Sequence, residues 1–134
     1  MTKVLKGLSN RSMNEEFDVD EVLLRAVYPR LKRPEYWENG HLSSAALKDS
    51  RGLSVDRSGS RSLYDSVEYA KKHLKGFIVS ITVRACNQVE AELIYLPSGS
   101  NPFHSEIHGS KTEIELSDFQ AFMLSRQARI EFQP

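Results

Sequence analysis

Three side chains able to do chemistry recur at every second position in Asn101-Pro102-Phe103-His104-Ser105-Glu106-Ile107-His108-Gly109. In an extended chain alternate residues point the same way. His104, Glu106 and His108 would then share one face, their Cα atoms roughly 6.5–7 Å apart from one to the next. Pro102 and Gly109 bound the segment. Such a row can present a general base, a carboxylate or metal ligands. Completed by His41 or Asp56, it would suit Zn²⁺ or another divalent cation. The same alternation also describes a half-buried strand with His104, Glu106 and His108 toward water and Phe103, Ser105 and Ile107 inward. That plainer reading is preferred, and no metal is assigned. His104-Ser105-Glu106 carries the His-x-Glu letters of zinc deaminases, but the Pro-Cys-x-x-Cys partner that this chemistry needs is missing.

A second source of chemistry is the loop from Arg30 to Arg61. Ser43-Ser44, Lys48, Ser50-Arg51, Ser54, Arg57-Ser58 and Ser60-Arg61-Ser62 set small hydroxyls beside guanidinium groups. Both groups suit phosphate oxygens, whereas Asp49 and Asp56 offset part of the charge. Ser43, Arg51 and Arg57 from this loop, with Asn101 and His108 from the strand region, are the candidate ligand contacts. The one cysteine, Cys86, lies in an apolar run and reads as a buried structural thiol rather than a nucleophile. No Gly-x-Ser-x-Gly elbow, P-loop or dinucleotide glycine motif occurs.

The elements that must position these groups follow from periodicity and punctuation. Val22–Tyr28 reads as a strand ended by Pro29, with a short helix over Val19–Arg25 as the competing reading. The Arg30–Arg61 region holds two short extended candidates, His41–Ala46 and Leu53–Val55. Its Tyr36, Trp37, Leu42, Leu47 and Leu53 give it enough apolar material to be ordered. Ser62–Leu74 is the clearest helix: Leu63, Val67, Ala70 and Leu74 make its stripe, Ser62 caps it and Gly76 can end it. Phe77–Ala85 is the strongest strand, Asn87-Gln88 a turn, and Val89–Leu96 a second strand pairing with the first as an antiparallel hairpin. Ser117–Ala128 is a second helix with a Ser117/Gln120 capping box, and Arg129–Phe132 a last strand. The fold class expected is α+β, a mainly antiparallel sheet with two helices and a long ordered loop.

At 134 residues the length fits one domain, read as residues 17–134 behind a polar tail over 1–16. Eighteen basic against eighteen acidic side chains give a formal net charge of zero, which argues against a nucleic-acid or membrane coat. There is no apolar run of membrane-spanning length, no secretory core near the N-terminus and no cysteine pair, so a cytoplasmic location is expected.

The words Leu42-Ser43-Ser44-Ala45-Ala46-Leu47-Lys48-Asp49, Gly52-Leu53-Ser54-Val55-Asp56-Arg57 and Asn101-Pro102-x-His104-x-x-Ile107 resemble a family of small bacterial proteins to which no activity is attached. That resemblance spans roughly residues 24–130 and implies a bacterial cytosolic origin. The order Arg25, Ser43-Ser44, Glu106 is similar to ADP-ribosyltransferase-like folds, including the RES-type NAD-consuming toxins. It implies Arg25 on dinucleotide phosphates, Ser43 or Ser44 at the nicotinamide pocket and Glu106 against the developing ribosyl cation. The chain lacks the Ser-x-Ser and Glu-x-Glu words of those folds. Two functions are therefore expected. One is a binding module for a partner protein or a phosphorylated small ligand, with an exposed apolar patch near Tyr36, Trp37 and Phe103. The other is an NAD- or nucleotide-processing enzyme in which Arg25, Ser44, His104 and Glu106 converge on one pocket. The cofactor and oligomeric state stay open.

Overall fold

The computed structural model describes Asn14 and residues 16–134. Among these residues eight strands are formed: β1 (Val22–Val27), β2 (Trp37–Glu38), β3 (His41–Leu42), β4 (Leu53–Arg57), β5 (Phe77–Thr82), β6 (Glu92–Tyr95), β7 (His104–His108) and β8 (Arg129–Phe132). The α-helices are α1 (Leu63–His73), α2 (Val83–Gln88) and α3 (Asp118–Gln127), and 3₁₀ turns cover Pro34–Tyr36 and Ser44–Leu47. Six strands make one sheet in the order β6-β7-β4-β1-β5-β8, every neighbouring pair antiparallel, while β2 and β3 form a separate small hairpin. This is an α+β fold with a mainly antiparallel sheet.

The sheet's two faces are sorted by alternation along its strands. Leu23, Val27, Leu53, Val55, Val79, Ile81, Leu93 and Ile107 turn to one side. There they meet Ala46 and Leu47 of the 3₁₀ turn, Val83 and Cys86 of α2, and Ala121 and Leu124 of α3 in the main core. Leu24 and Ile78 turn to the other side and pack under Val67 and Ala70 of α1. Helix α1 lies over β1 and β5, so the part of this second face built by β4, β7 and β6 is left for polar side chains. Ser62 caps α1 by accepting the Asp65 N–H, and Lys71, Lys72 and His73 occupy its negative end. Gly76, at φ +109°, brings the chain back: a Cβ there would lie 2.5 Å from the Val27 carbonyl oxygen.

Several expectations are corrected. The Phe77–Ala85 run stops as a strand at Thr82, whose hydroxyl accepts the Ala85 N–H and starts α2 through the expected Asn87-Gln88 turn. A helix cap thus overrides the β preference of Val83, and the described residues form three α-helices rather than two. The hairpin between the strands on either side does not exist. β5 pairs with β1 and β8, whereas β6, shortened to Glu92–Tyr95, pairs with β7. Of the loop's extended candidates, only His41–Leu42 and Leu53–Arg57 are strands, and Ser44–Leu47 is 3₁₀. The strand expected from Val22 does form, over Val22–Val27, in place of the competing helix. Most of the expected tail lies outside the described residues. Asn14 within it is buried and tied to the β6 start: its Nδ2 donates to Asn87 Oδ1 and the Ala91 carbonyl, and its Oδ1 accepts the Leu93 N–H. No helix among the described residues is long and apolar enough to cross a membrane.

Candidate functional site

Register brings the row predicted from sequence beside a second row. Ser54 stands opposite Glu106 and Asp56 opposite His104 in the β4–β7 pair, and Glu92 of β6 stands opposite His108. Antiparallel partners share a face, so Ser54, Asp56, His104, Glu106 and His108 form one polar surface. Ser105 and Ile107 are buried beneath it. Four local arrangements organise this surface.

Asp56 is 3% exposed, and both its oxygens are used. Oδ1 accepts from Asn101 Nδ2 at 2.8 Å, and Oδ2 lies 3.1 Å from His73 Nε2 at the end of α1. Asn101 Oδ1 in turn accepts the Phe103 N–H, which sets the entry into β7. His104 Nδ1 lies 3.1 Å from the Leu96 carbonyl oxygen, and Nε2 lies 3.5 Å from Ser54 Oγ. A carbonyl can only accept, so Nδ1 carries the hydrogen and, in the neutral ring, Nε2 presents its lone pair to the serine. Next to them, His108 Nε2 and Glu106 Oε1 are 2.8 Å apart. The pair sits over Gly52 (φ +103°), where a Cβ would come within 2.4 Å of Glu106 Oε1. Finally, Arg25 Nη1 donates to the Ser54 carbonyl at 2.9 Å, while its Nε is buried with no partner. Burial pulls the Arg25 guanidinium below its ordinary value, opposed by Asp49 and Tyr36.

Two concavities adjoin this surface and share Ala26 and Leu74. The smaller, about 140 Å³, is lined by Leu24, Arg25, Val55, Leu74, Ser54, Asp56, Asn101 and His104. The larger, about 460 Å³, adds Tyr28, Lys32, His73 and Lys75. A still larger hollow, about 620 Å³, opens near the start of α3 among Glu90, Glu113, Glu115 and Asp118. Its principal polar groups are already committed. Lys48 Nζ bonds the Leu116 carbonyl and Asp118, and Gln120 Nε2 bridges the Val89 and Gly109 carbonyls.

The remaining candidates scatter. Arg25 shares its strand face with Leu23 and Val27, one residue out of phase with Leu24 and Asp56. Its Cβ therefore leaves the sheet opposite to Glu106, although Arg25 is among the residues that border the small cavity beside β4. Ser44 opens the 3₁₀ turn in the main-core layer, and the Ser43 hydroxyl donates to the Glu35 carbonyl. Arg25, Ser44, His104 and Glu106 thus do not meet in one pocket. Arg57 is held by Glu21 through Nε and Nη2 and lies between the Phe17 and Tyr95 rings. Arg51 is exposed beside Asp49 on the loop before β4. His41 lies on the separate hairpin, and among the described residues no cluster of three or more His, Cys, Asp or Glu side chains could hold a metal. Cys86 is fully buried, which pushes its thiol up to about 12. The aromatic residues of the expected apolar patch are half-buried. Trp37 packs on Phe77 and donates to the Tyr28 carbonyl, and Phe103 lies beneath Arg61 and against Tyr69.

Ser54, His73, Lys32 and Lys75 were not singled out as site residues. The alternation Leu53-Ser54-Val55-Asp56 carried a signal for Ser54, but nothing local ties His73 or the two lysines to β4. No protein-family model, curated protein or solved structure matches the chain.

Proposed function

We propose that this protein is a binding module for a small phosphate-bearing ligand, held in the two neighbouring concavities beside β1, β4 and the end of α1. One observation carries the reading: the cations Arg25, Lys32 and Lys75 line them together with His73 and His104, and Asp56 is the one lining carboxylate among the described residues. Asp56 offsets one of these charges, but it is buried with both oxygens engaged by Asn101 and His73, and a positive balance is left at the opening. Cationic side chains converging on a concave wall favour an anion, and Ser54 and Asn101 add hydrogen-bonding groups. A chain with zero net charge can still concentrate positive potential at one site. The enzyme reading built on Arg25 and Glu106 has no such support, since these residues leave opposite faces of the sheet.

Calorimetric titration tests the reading with inorganic phosphate, adenosine 5′-monophosphate and adenosine. The phosphate-bearing probes should bind saturably, more weakly as salt rises, and adenosine should not. Replacing Lys32 and Lys75 together by Ala should weaken binding at least tenfold, about 1.4 kcal/mol. Absence of saturable binding by either phosphate-bearing probe overturns the proposal.

A further inference from the structure

We propose that Ser54 and His104 are a nucleophile and its base, and that together they cleave esters of short carboxylic acids. Ser54 is exposed on the sheet face, so a substrate carbonyl can reach its hydroxyl. His104 Nε2 stands 3.5 Å from Ser54 Oγ, at the long end of hydrogen bonding and within the looseness usual for a nucleophile–base pair without substrate. The Leu96 carbonyl fixes the ring as an orienting group must, holding Nδ1–H and leaving Nε2 to take a proton. The roughly 140 Å³ cavity beside the pair has apolar walls from Leu24, Ala26 and Leu74, and its size suits an acyl group of a few carbons. Arg25 lines the same cavity, donates to the Ser54 carbonyl and carries a buried Nε with no partner. Its charge, held against the Ser54 backbone, adds to the positive potential around the pair.

The step balances within these groups and water. Ser54 Oγ bonds to the ester carbonyl carbon while its proton passes to His104 Nε2. The tetrahedral oxyanion collapses, the bond to the alcohol oxygen breaks, and His104 returns the proton to the departing alkoxide. A water, deprotonated by His104, then attacks the acyl-serine, releasing the carboxylic acid and restoring the Ser54 hydroxyl. Through both halves the Nδ1–H stays on the Leu96 carbonyl, which stabilises the transient imidazolium. The acyl side of this inference stands without the phosphate reading. Only the identity of the alcohol rests on it: the adjoining depression with Lys32 and Lys75 would take an alcohol that carries phosphate.

The test uses neutral reagents, so that phosphate binding is not needed. The full chain is treated with an uncharged alkyl fluorophosphonate, in which Ser54 Oγ would displace fluoride. Intact and peptide mass spectra are recorded, and p-nitrophenyl acetate and butyrate turnover is followed. One adduct on Ser54 is expected, absent in Ser54→Ala and at least a hundredfold slower in His104→Ala, with ester turnover falling in parallel. A fold check by circular dichroism accompanies each variant. Should Ser54→Ala not fold, Ser54→Cys replaces it, and its alkylation by iodoacetamide should be faster with His104 present than in the double variant with His104→Ala. No adduct, an adduct on another residue, or equal rates with and without His104 overturns the inference. Labelled protein that binds no phosphate overturns the binding proposal alone, and phosphate binding without labelling overturns this one alone.

Discussion

Glu21 shows how much one residue can hold together. Its carboxylate, 4% exposed, accepts from Arg57 Nε and Nη2 and from the backbone N–H groups of Asp18 and Gly59. Burial alone would raise its pKa, but the Arg57 hydrogen bonds, the two backbone donors and the Arg57 charge outweigh it, and the net shift is below the usual 4.5. A depressed folded-state pKa stabilises the fold at pH values above the unfolded one, and that contribution is lost as pH falls through the folded value. Glu21→Gln should therefore cost about 3–5 kcal/mol at pH 7, since it leaves the Arg57 charge buried and unpaired. The gap from the parent protein should narrow below about pH 4. Urea midpoints at pH 7 and pH 3 measure both effects, and a gap of equal size at the two pH values would refute the assignment. Nothing in the sequence distinguished Arg57 from Arg51. Both lie in one serine-rich loop, and their difference is set by a glutamate more than thirty positions away. His104, Glu106 and His108 were legible because a two-residue period between Pro102 and Gly109 is local information. The face taken by Arg25 was not, because it depends on the β1–β4 register.

At the scale of elements, caps were readable and pairings were not. Ser62 and Ser117 start α1 and α3 as their side-chain chemistry dictates. Thr82 does the same for α2, but inside a run of β-branched residues its hydroxyl gave no visible stop. The hairpin expected between β5 and β6 failed because α2 fills the space a turn would need. The sheet then takes its partners from distant segments: β1 and β8 for β5, and β7 for β6. Gln120 is where one element fastens two others. Its Oε1 accepts the Ser117 N–H, its backbone N–H meets Ser117 Oγ, and its Nε2 reaches the carbonyls of Val89 and Gly109. Gln120→Ala deletes the box and leaves two buried carbonyls short of a donor, an expected loss of about 2–3 kcal/mol. Gln120→Glu keeps the acceptor to Ser117 but not the Nε2 donor, and should be as harmful. Denaturant unfolding of both variants decides this: a loss confined to Gln120→Ala would locate the effect in the cap alone.

On the scale of the molecule, one sheet separates two apolar clusters, and β1 supplies consecutive residues to each: Leu23 to the main core and Leu24 to the layer under α1. This coupling bears on the function, because the polar surface of β4 and β7 begins where α1 ends its cover, and His73 of that helix touches Asp56. If the two clusters open together, damage beneath α1 must be felt in the main core. Cys86 reports on it: it is 0% exposed on the far side from α1, and burial pushes its thiol up to about 12, so a thiol reagent reacts only with an opened state. Leu24→Ala removes a fully buried side chain from the α1 layer, at a cost of about 2–5 kcal/mol. In a single cooperative unit, a loss of about 3 kcal/mol should speed Cys86 labelling by on the order of a hundredfold. The measurement is the rate of Cys86 modification by a chromogenic disulfide under native conditions, beside the melting curve of the same variant. Unchanged labelling with a lowered melting temperature would show that α1 lifts independently of the core. The concavities beside the end of α1 would then open without unfolding the sheet that carries Ser54 and His104.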